Sequence, residues 1–301
     1  MFQNVLVGVD GRPNGRDAIA LARNLIGDHG KLTLAHVHGG ELRPTRAATK
    51  GVRDEREASE KLLETERAAA DVSAELISVA AASPGRGLHL QAEAQGADLI
   101  VVGSSSHGAI GRVMLGDDTR AALNGAPCAV AVAAAGYAEH PVPFAKVGVA
   151  YNGSPESEAA LTVARQLAEP TRATVHALEV IPIQTYAYTG LVPPNIGESI
   201  DAVLREADDR MKQLPGVEGE AMYGLIGEEL AAFGDQVDVL VVGSRGYGPV
   251  KRLMVGSTSD YLERHARCSL VVLPRTAAAG PAGEGAAEEQ ASQSPATTTT
   301  G

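Results

Sequence analysis

The sequence predicts an α/β protein made of two tandem, doubly wound domains, each with a five-stranded parallel sheet, paired through their last strands. Three observations lead there. Motifs recur at a fixed offset, the strand-like runs are apolar on both faces, and helix patterns separate them. Gly103, Gly116 and Cys128 return as Gly243, Gly256 and Cys268, each 140 residues later. One offset over several motifs marks a duplication. The opening Val5-Leu-Val-Gly-Val-Asp10-Gly returns as Val147-Gly-Val-Ala-Tyr-Asn152-Gly at an offset of 142, so small insertions or deletions separate it from the rest.

Each copy reads the same way. A short apolar run (Val5 to Val9; Val147 to Tyr151) ends in a turn. A helix pattern follows. In copy 2 it opens Ser154-Pro155-Glu156: a hydroxyl N-cap, proline at the first helical position and an acid in the first turn. A second strand is predicted at Lys31 to His38 and Thr174 to Ile181. The variable segment after it holds a helix, Glu55 to Ala70 or Glu198 to Met211. A third strand and helix lead to Leu99-Ile-Val-Val102 and Val239-Leu-Val-Val242. Such continuous runs fit central parallel strands covered by helices.

The last strands, Cys128 to Ala133 and Ser269 to Leu273, fall at the edge of each five-stranded sheet. Leu270-Val-Val-Leu273 is uninterrupted apolar sequence, and a bare edge of that kind invites aggregation. The matching strand of the other copy is the simplest cover. An internal pseudo-dimer is therefore expected, and a homodimer of the chain stays open. The expected boundaries are 1–135 for the first domain, 136–143 for a linker, 144–275 for the second domain, and 276–301 for a tail. The tail has no apolar periodicity and reads as disordered.

Composition narrows the function. Hydrophobic residues make up 44% and aromatics 3%, with no tryptophan, so the core is aliphatic. The net charge of −11 opposes a phosphate backbone and argues against nucleic acid as a partner. One small anion is still allowed, because local backbone dipoles can outweigh the net field. Cys128 and Cys268 form neither a disulfide framework nor a metal-type spacing. No run approaches the roughly 18 apolar residues of a membrane span. The expectation is a soluble cytoplasmic protein with no membrane contact.

The chemistry concentrates after Val242. There the chain reads Gly243-Ser-Arg-Gly246, then Gly256-Ser257-Thr258 at the start of a helix predicted over Ser257 to His265. Glycines let backbone approach a ligand, and free amides at a helix start face an anion. Ser257 and Thr258 add hydroxyls; Arg245, Lys251 and Arg252 add nearby cations. No Walker A pattern occurs in the chain.

The spacing Gly243-x2-Gly246-x9-Gly256-Ser257 resembles the glycine signature of ATP-binding universal stress proteins. The first-strand Val-Asp-Gly turn and the Ala-Pro-Cys segment at 126–128 point the same way. The resemblance covers nearly all of residues 1–275, twice. It implies an adenine nucleotide alpha hydrolase-like fold and ATP as ligand, with or without Mg²⁺. It also implies that the adenosine end meets Asp10 and Val37 in copy 1, or Asn152 and Val180 in copy 2. The phosphates would then lie over Gly243, Gly246, Gly256, Ser257 and Thr258, beyond the strand end at Val242.

Both copies depart from the pattern. Copy 1 keeps Asp10 but reads Gly103-Ser-Ser-Ser106, then Gly116-Asp117-Asp118 where the family has a hydroxyl. At ~4 Å and an effective dielectric of ~20, one such acid opposes a phosphate by about 4 kcal/mol. That outweighs the ~1 kcal/mol of a helix-dipole contact. Copy 2 keeps the loop but carries Asn152 for the acid. Binding is therefore expected in copy 2. The bland alternatives are an inherited structural loop for the glycines and a solvated helix start, rather than a Mg²⁺ site, for Asp117 and Asp118. For the cysteines the bland reading is buried strand entries. His36 and His38 share a strand face but lack a third ligand, and His107 reads as a loop-tip residue. No nucleophile–base pair stands out. The expected function is a nucleotide-dependent module in stress response or signalling. A slow ATPase at the same site and a ligand-free scaffold are the alternatives.

Overall fold

The computed structural model describes residues 1–39, 46–104, 111, 113, 117–182, 196–244, 253 and 257–274. Copy 1 runs β1 (Phe2–Gly8), α1 (Pro13–Leu25), β2 (Ile26–His38), α2 (Arg46–Ala70), β3 (Glu75–Ala80), α3 (Pro84–Gln95), β4 (Leu99–Gly103), α4 (Asp117–Leu123) and β5 (Ala129–Ala133). Copy 2 runs β6 (Lys146–Ala150), α5 (Pro155–Ala168), β7 (Thr174–Pro182), α6 (Ile196–Lys212), β8 (Glu218–Gly224), α7 (Ile226–Phe233), β9 (Val239–Gly243), α8 (Ser257–His265) and β10 (Ser269–Leu273).

The strands form one ten-stranded sheet in the order β3-β2-β1-β4-β5-β10-β9-β6-β7-β8. Within each copy all pairs are parallel. The single antiparallel junction joins β5 to β10. The expected fold class and its pairing through the last strands are therefore what the chain adopts. In that junction Val271 stands opposite Ala131, its own counterpart in the repeat. The two copies are thus related by a pseudo-twofold axis through that pair, as in an isologous dimer interface. Val130, Ala131, Val132, Leu270, Val271 and Val272 are at most 1% exposed. Burying each large aliphatic side chain contributes about 1.5–3 kcal/mol, so covering this edge is a strong drive for pairing. The Ser269 hydroxyl adds a buried bond, accepting the Ala134 N–H at 3.1 Å.

Helices cover both faces. One core lies under α1, α2, α5 and α6, with Ile19, Leu63, Leu161 and Met211 fully buried. The other lies under α3, α4, α7 and α8, around Leu88, Leu123, Leu230 and Leu262. Helix α5 starts as its sequence requires: Ser154 caps it by accepting the Ser157 N–H at 3.2 Å, with Pro155 next. The repeated aspartate before the fourth strand has a structural role. Asp98 accepts the N–H groups of Gln3 and Asn4 at 2.7 and 3.0 Å, and Asp238 those of Ala145 and Lys146 at 2.7 and 2.8 Å. Each pins the entry of its copy's first strand.

Some boundaries differ from expectation. β2 starts at Ile26, where Phe2 pairs with it across a register shift, rather than at Lys31. Gly27 and Gly30 interrupt the apolar alternation there, which hides the extension. α2 starts at Arg46 rather than Glu55, because its first turns carry no apolar stripe. The segment joining the copies is docked. Buried Asp17 of α1 accepts the N–H groups of Gly136 and Ala138 at 2.9 and 2.8 Å. Asn24 donates to the Tyr137 hydroxyl and the Val142 carbonyl, each at 2.7 Å. The proposed tail over 276–301 lies outside the described residues.

Candidate functional site

In each copy the first strand lies between the second and the fourth, so the connections run in opposite directions on its two sides. Open α/β sheets hold ligands beyond the carboxyl ends of the strands at such a switch point. In copy 2 a cleft of about 460 Å³ lies there. That volume falls in the roughly 300–1,000 Å³ range of small-molecule sites.

The cleft brings together Asn152, Val180, Val242, Gly243 and Thr258. Asn152 follows β6, Val180 lies near the end of β7, Val242 and Gly243 end β9, and Thr258 is in the first turn of α8. Ile226 and Leu230 of α7 complete an apolar wall. Gly246 and Gly256 lie outside the described residues, as do Arg245, Lys251 and Arg252. The side chains of Ser257, Asp117 and Asp118 are likewise outside, as are Ser106, His107 and Gly116. Asp10 and Val37 occupy the corresponding strand ends of copy 1.

The first glycine of each loop has a packing role. A Cβ added at Gly103 would lie 2.0 Å from the Asn14 carbonyl oxygen, and one at Gly243 would lie 2.8 Å from that of Glu156. Each glycine lets the strand end pass beneath the first helix of its copy. Both copies therefore keep it, whatever they bind. The turn after the first strand is also shared. Asp10 Oδ1 accepts the Arg12 N–H at 3.0 Å, and Asn152 Oδ1 accepts the Ser154 N–H at 3.1 Å. An amide oxygen serves that turn as well as a carboxylate does, so replacing the acid leaves the local geometry intact.

The copies differ where the third helix meets the strands. In copy 1, Gly87 lets α3 press close: a Cβ there would meet Val37 Cγ1 at 2.7 Å. Leu88 Cδ1 reaches to 3.0 Å from where a Gly8 Cβ would sit. In copy 2 the structurally matching positions hold Glu229 and Ala150, counting from the helix starts and strand ends. Glu229 reaches toward Gly224 at the end of β8, and Val180 lines the cleft.

Sequence reasoning missed Ser244. It is 3% exposed, lines the cleft, and its hydroxyl has no hydrogen-bond partner among the described residues. A buried hydroxyl without a partner costs about 1–3 kcal/mol, which a ligand acceptor in the cleft would relieve. Its position beside Gly243 was the available signal. Its backbone is fixed, with its N–H donated to the Leu273 carbonyl at 2.9 Å, as Ser104 donates to Ala133 at 3.0 Å.

Tyr151 also lines the cleft. Its buried phenol donates to Glu158, and burial foremost, then that bond, push its pKa up to about 12. Nearby, buried Glu179 is held by Arg210 at 2.7 Å. Hydrogen bonding to Glu179 raises the guanidinium pKa in turn. Copy 1 solves the same need differently: buried Glu66 of α2 accepts two bonds from Arg16 of α1, at 2.9 and 3.0 Å. The thiols of Cys128 and Cys268 are buried, and desolvation pushes both up to about 12. They are inert packing groups near neutral pH. His36 Nδ1 lies 2.7 Å from the Val9 carbonyl and His38 Nδ1 3.4 Å from Glu55. Among the described residues no group of three or more His, Cys, Asp or Glu is placed to hold a metal.

The fold and the cleft define a class: a fused pair of doubly wound α/β units with a ligand-sized opening at a strand switch point. The profile of the Universal stress protein family matches residues 1–134 and 143–274, and the chain belongs to that family. It is similar to a universal stress protein of Mycobacterium tuberculosis, 29% identical over 188 residues, which span 58% of this chain and 61% of that relative. The match thus covers about three fifths of the relative's length. A universal stress protein of Thermus aquaticus is 30% identical over 141 residues, 43% of this chain and 98% of its own. Among solved structures, a universal stress protein from Archaeoglobus fulgidus shares the fold at TM-score 0.60 and 18% identity, covering 90% of this chain and 98% of that one. A Pseudomonas aeruginosa structure matches at TM-score 0.61 and 18% identity, over 90% and 93%. No described helix is long and apolar enough to cross a membrane.

Proposed function

We propose that copy 2 binds an adenine nucleotide, ATP foremost, in the cleft beyond β6, β7 and β9, and that the chain acts as a nucleotide-dependent module in stress response or signalling. One observation carries the reading. Five residues chosen from sequence alone for a nucleotide, namely Asn152, Val180, Val242, Gly243 and Thr258, line one 460 Å³ cleft.

Each part of such a ligand has a counterpart in the cleft. Val180, Ile226 and Leu230 offer an apolar face for the base. The amide of Asn152 supplies a donor and an acceptor at the nucleoside end. The Ser244 hydroxyl, Thr258 and the amino end of α8 suit the phosphates, since a helix start carries free amides and positive potential. Glu156 lines the wall beside Gly243. It directs the anionic part toward α8 and away from α5, and it favours a nucleotide whose charge a divalent cation has offset. In copy 1, Gly87 brings α3 against Val37, and Asp117 and Asp118 begin α4, which favours copy 2 as the binding copy.

Equilibrium dialysis of the full chain against labelled ATP, with and without Mg²⁺, tests the proposal. One site per chain is expected. Two equal sites, or none, would overturn it. Mass spectrometry of small molecules released on denaturing the purified protein identifies the ligand, and ATP recovered intact supports a binding module over an ATPase.

A further inference from the structure

We propose that copy 1, which lacks the full glycine pattern, anchors the stretch between β9 and α8 of copy 2 at Leu253, with Gly125 and Leu253 as positioning residues for a ligand in the cleft of copy 2. The proposal rests on the nucleotide reading above and goes beyond it by assigning copy 1 a part in the binding.

The stretch between β9 and α8 is fixed at both ends and at one interior point. At its start Ser244 is bonded to β10, and at its end α8 begins at Ser257. The interior point is Leu253. Its N–H donates to the Ala126 carbonyl at 3.0 Å, and its carbonyl accepts the Gly125 N–H at 2.9 Å. Both partners belong to copy 1. The Leu253 side chain is fully buried in the core that also holds Ala122, Leu123 and Ala126. A stretch held at an interior point by the other copy gives up less freedom when a ligand orders it, which is the basis of preorganised binding.

The reciprocal contact is weaker, and the sequence explains why. Val113, the counterpart of Leu253, donates its N–H to the Ala266 carbonyl at 2.9 Å. That is the one backbone bond from Val113 to copy 2 among the described residues. The second bond on the Leu253 side depends on Gly125, which sits at φ +83° just past the end of α4 and turns its N–H toward Leu253. Glycine adopts that conformation without strain; asparagine tolerates it, and other residues rarely do. The counterpart of Gly125 is His265, the last residue of α8. Among the described residues, two backbone bonds thus cross from copy 1 to the stretch of copy 2, and one crosses from copy 2 to that of copy 1, whose Gly111 is held within its own copy by the Ala135 carbonyl at 2.7 Å. The stretch that copy 1 holds twice is the one that keeps the three glycines.

A Cβ at Gly125 would meet nothing closer than His89 Cε1 at 3.8 Å, so a substitution there tests backbone conformation, not a clash. The experiment uses the full chain, as wild type, Gly125→Ala and Gly125→Asn. ATP affinity is read by equilibrium dialysis and amide protection by hydrogen exchange. Gly125→Ala is expected to weaken ATP binding about tenfold, equivalent to 1.4 kcal/mol, and to speed exchange at Leu253. Gly125→Asn should restore affinity to within about twofold of wild type, because asparagine accepts the left-handed conformation. In the wild type, saturating ATP should slow exchange at Gly125, since coupling between sites is reciprocal.

Wild-type affinity in Gly125→Ala, despite faster exchange at Leu253, overturns the anchoring while leaving the nucleotide reading intact. A wild type that binds no ATP overturns the nucleotide reading itself. Should Gly125→Ala not fold, the wild-type measurement decides: unchanged exchange at Gly125 on ATP binding overturns the anchoring, and slowed exchange supports it.

Discussion

The two copies share one fold, yet they differ at the positions a ligand would touch. Copy 1 has Asp10 where copy 2 has Asn152, and Asp117-Asp118 where copy 2 has Ser257-Thr258. Gly103 and Gly243 do not differ, because each lets a strand end pass under a helix start. Copy 1 thus keeps the glycine that packing demands, while Ser106 and Asp117 stand where copy 2 has its second glycine and its hydroxyl. A glycine of a ligand motif can therefore answer to the fold, and a duplicated chain shows which one does.

The largest effect that would break this comparison is at the shared glycine. Gly103→Ala drives a Cβ to 2.0 Å from a backbone oxygen, against 2.8 Å for Gly243→Ala. The first should cost about 3 kcal/mol or more and the second about 1–2 kcal/mol, read by urea unfolding without nucleotide. Unchanged stability in Gly103→Ala would return that glycine to a purely ligand-binding role.

The buried carboxylates come next. Arg210→Met leaves Glu179 uncompensated in copy 2, and Arg16→Met does the same to Glu66 in copy 1. Losing the partner of a fully buried pair costs about 3–5 kcal/mol. Arg210 is 39% exposed and Arg16 53% exposed, so water screens each pair and about 2 kcal/mol is expected from either. A loss confined to one copy would show that the two arrangements are not equivalent.

Smaller effects concern the cleft. Ser244→Ala removes a hydroxyl that has no partner among the described residues, so unfolding should be unchanged or slightly harder. ATP binding should weaken about fivefold, the worth of one hydrogen bond. Asn152→Asp should tighten binding by a similar factor, because a carboxylate is the stronger acceptor. Dialysis measures both. If neither substitution shifts the ATP affinity, the nucleotide does not occupy this cleft.

The smallest expected difference is none. Cys128 and Cys268 should both resist iodoacetamide at pH 8 in the folded chain and react in urea, since burial raises both thiols to about 12. A folded pKa above the ordinary value of 9.0 means stability is fully present below about pH 9 and declines toward pH 12. Tyr151, raised from 10.0 to about 12, adds to that decline in copy 2 alone. Tyr151→Phe should therefore flatten the alkaline end of a stability–pH curve. An unaltered curve would show that the phenol is not held neutral by its surroundings.

Much of this was legible in the chain. The 140-residue offset and the continuous apolar runs were enough to anticipate parallel strands, and the bare edge at Leu270-Val-Val-Leu273 was enough to anticipate the pairing. Ser257 to His265 was legible as a helix from its flanking glycine and hydroxyl. The early start of β2 was hidden by Gly27 and Gly30. Ser244 was hidden because one serine looks like any other until its burial is known. The anchoring pair Gly125 and Leu253 was beyond reach, since its two members are 128 residues apart and meet through backbone atoms, which no side-chain pattern records.

Local periodicity and repetition alone determined the duplicated α/β architecture and its pairing edge, because those depend on which faces must be buried. The tertiary structure alone decided that Asn152, Val180, Val242, Gly243, Ser244 and Thr258 meet in one cleft and that copy 1 holds Leu253. Those juxtapositions depend on how distant strand ends and backbone amides come together, which no local pattern encodes.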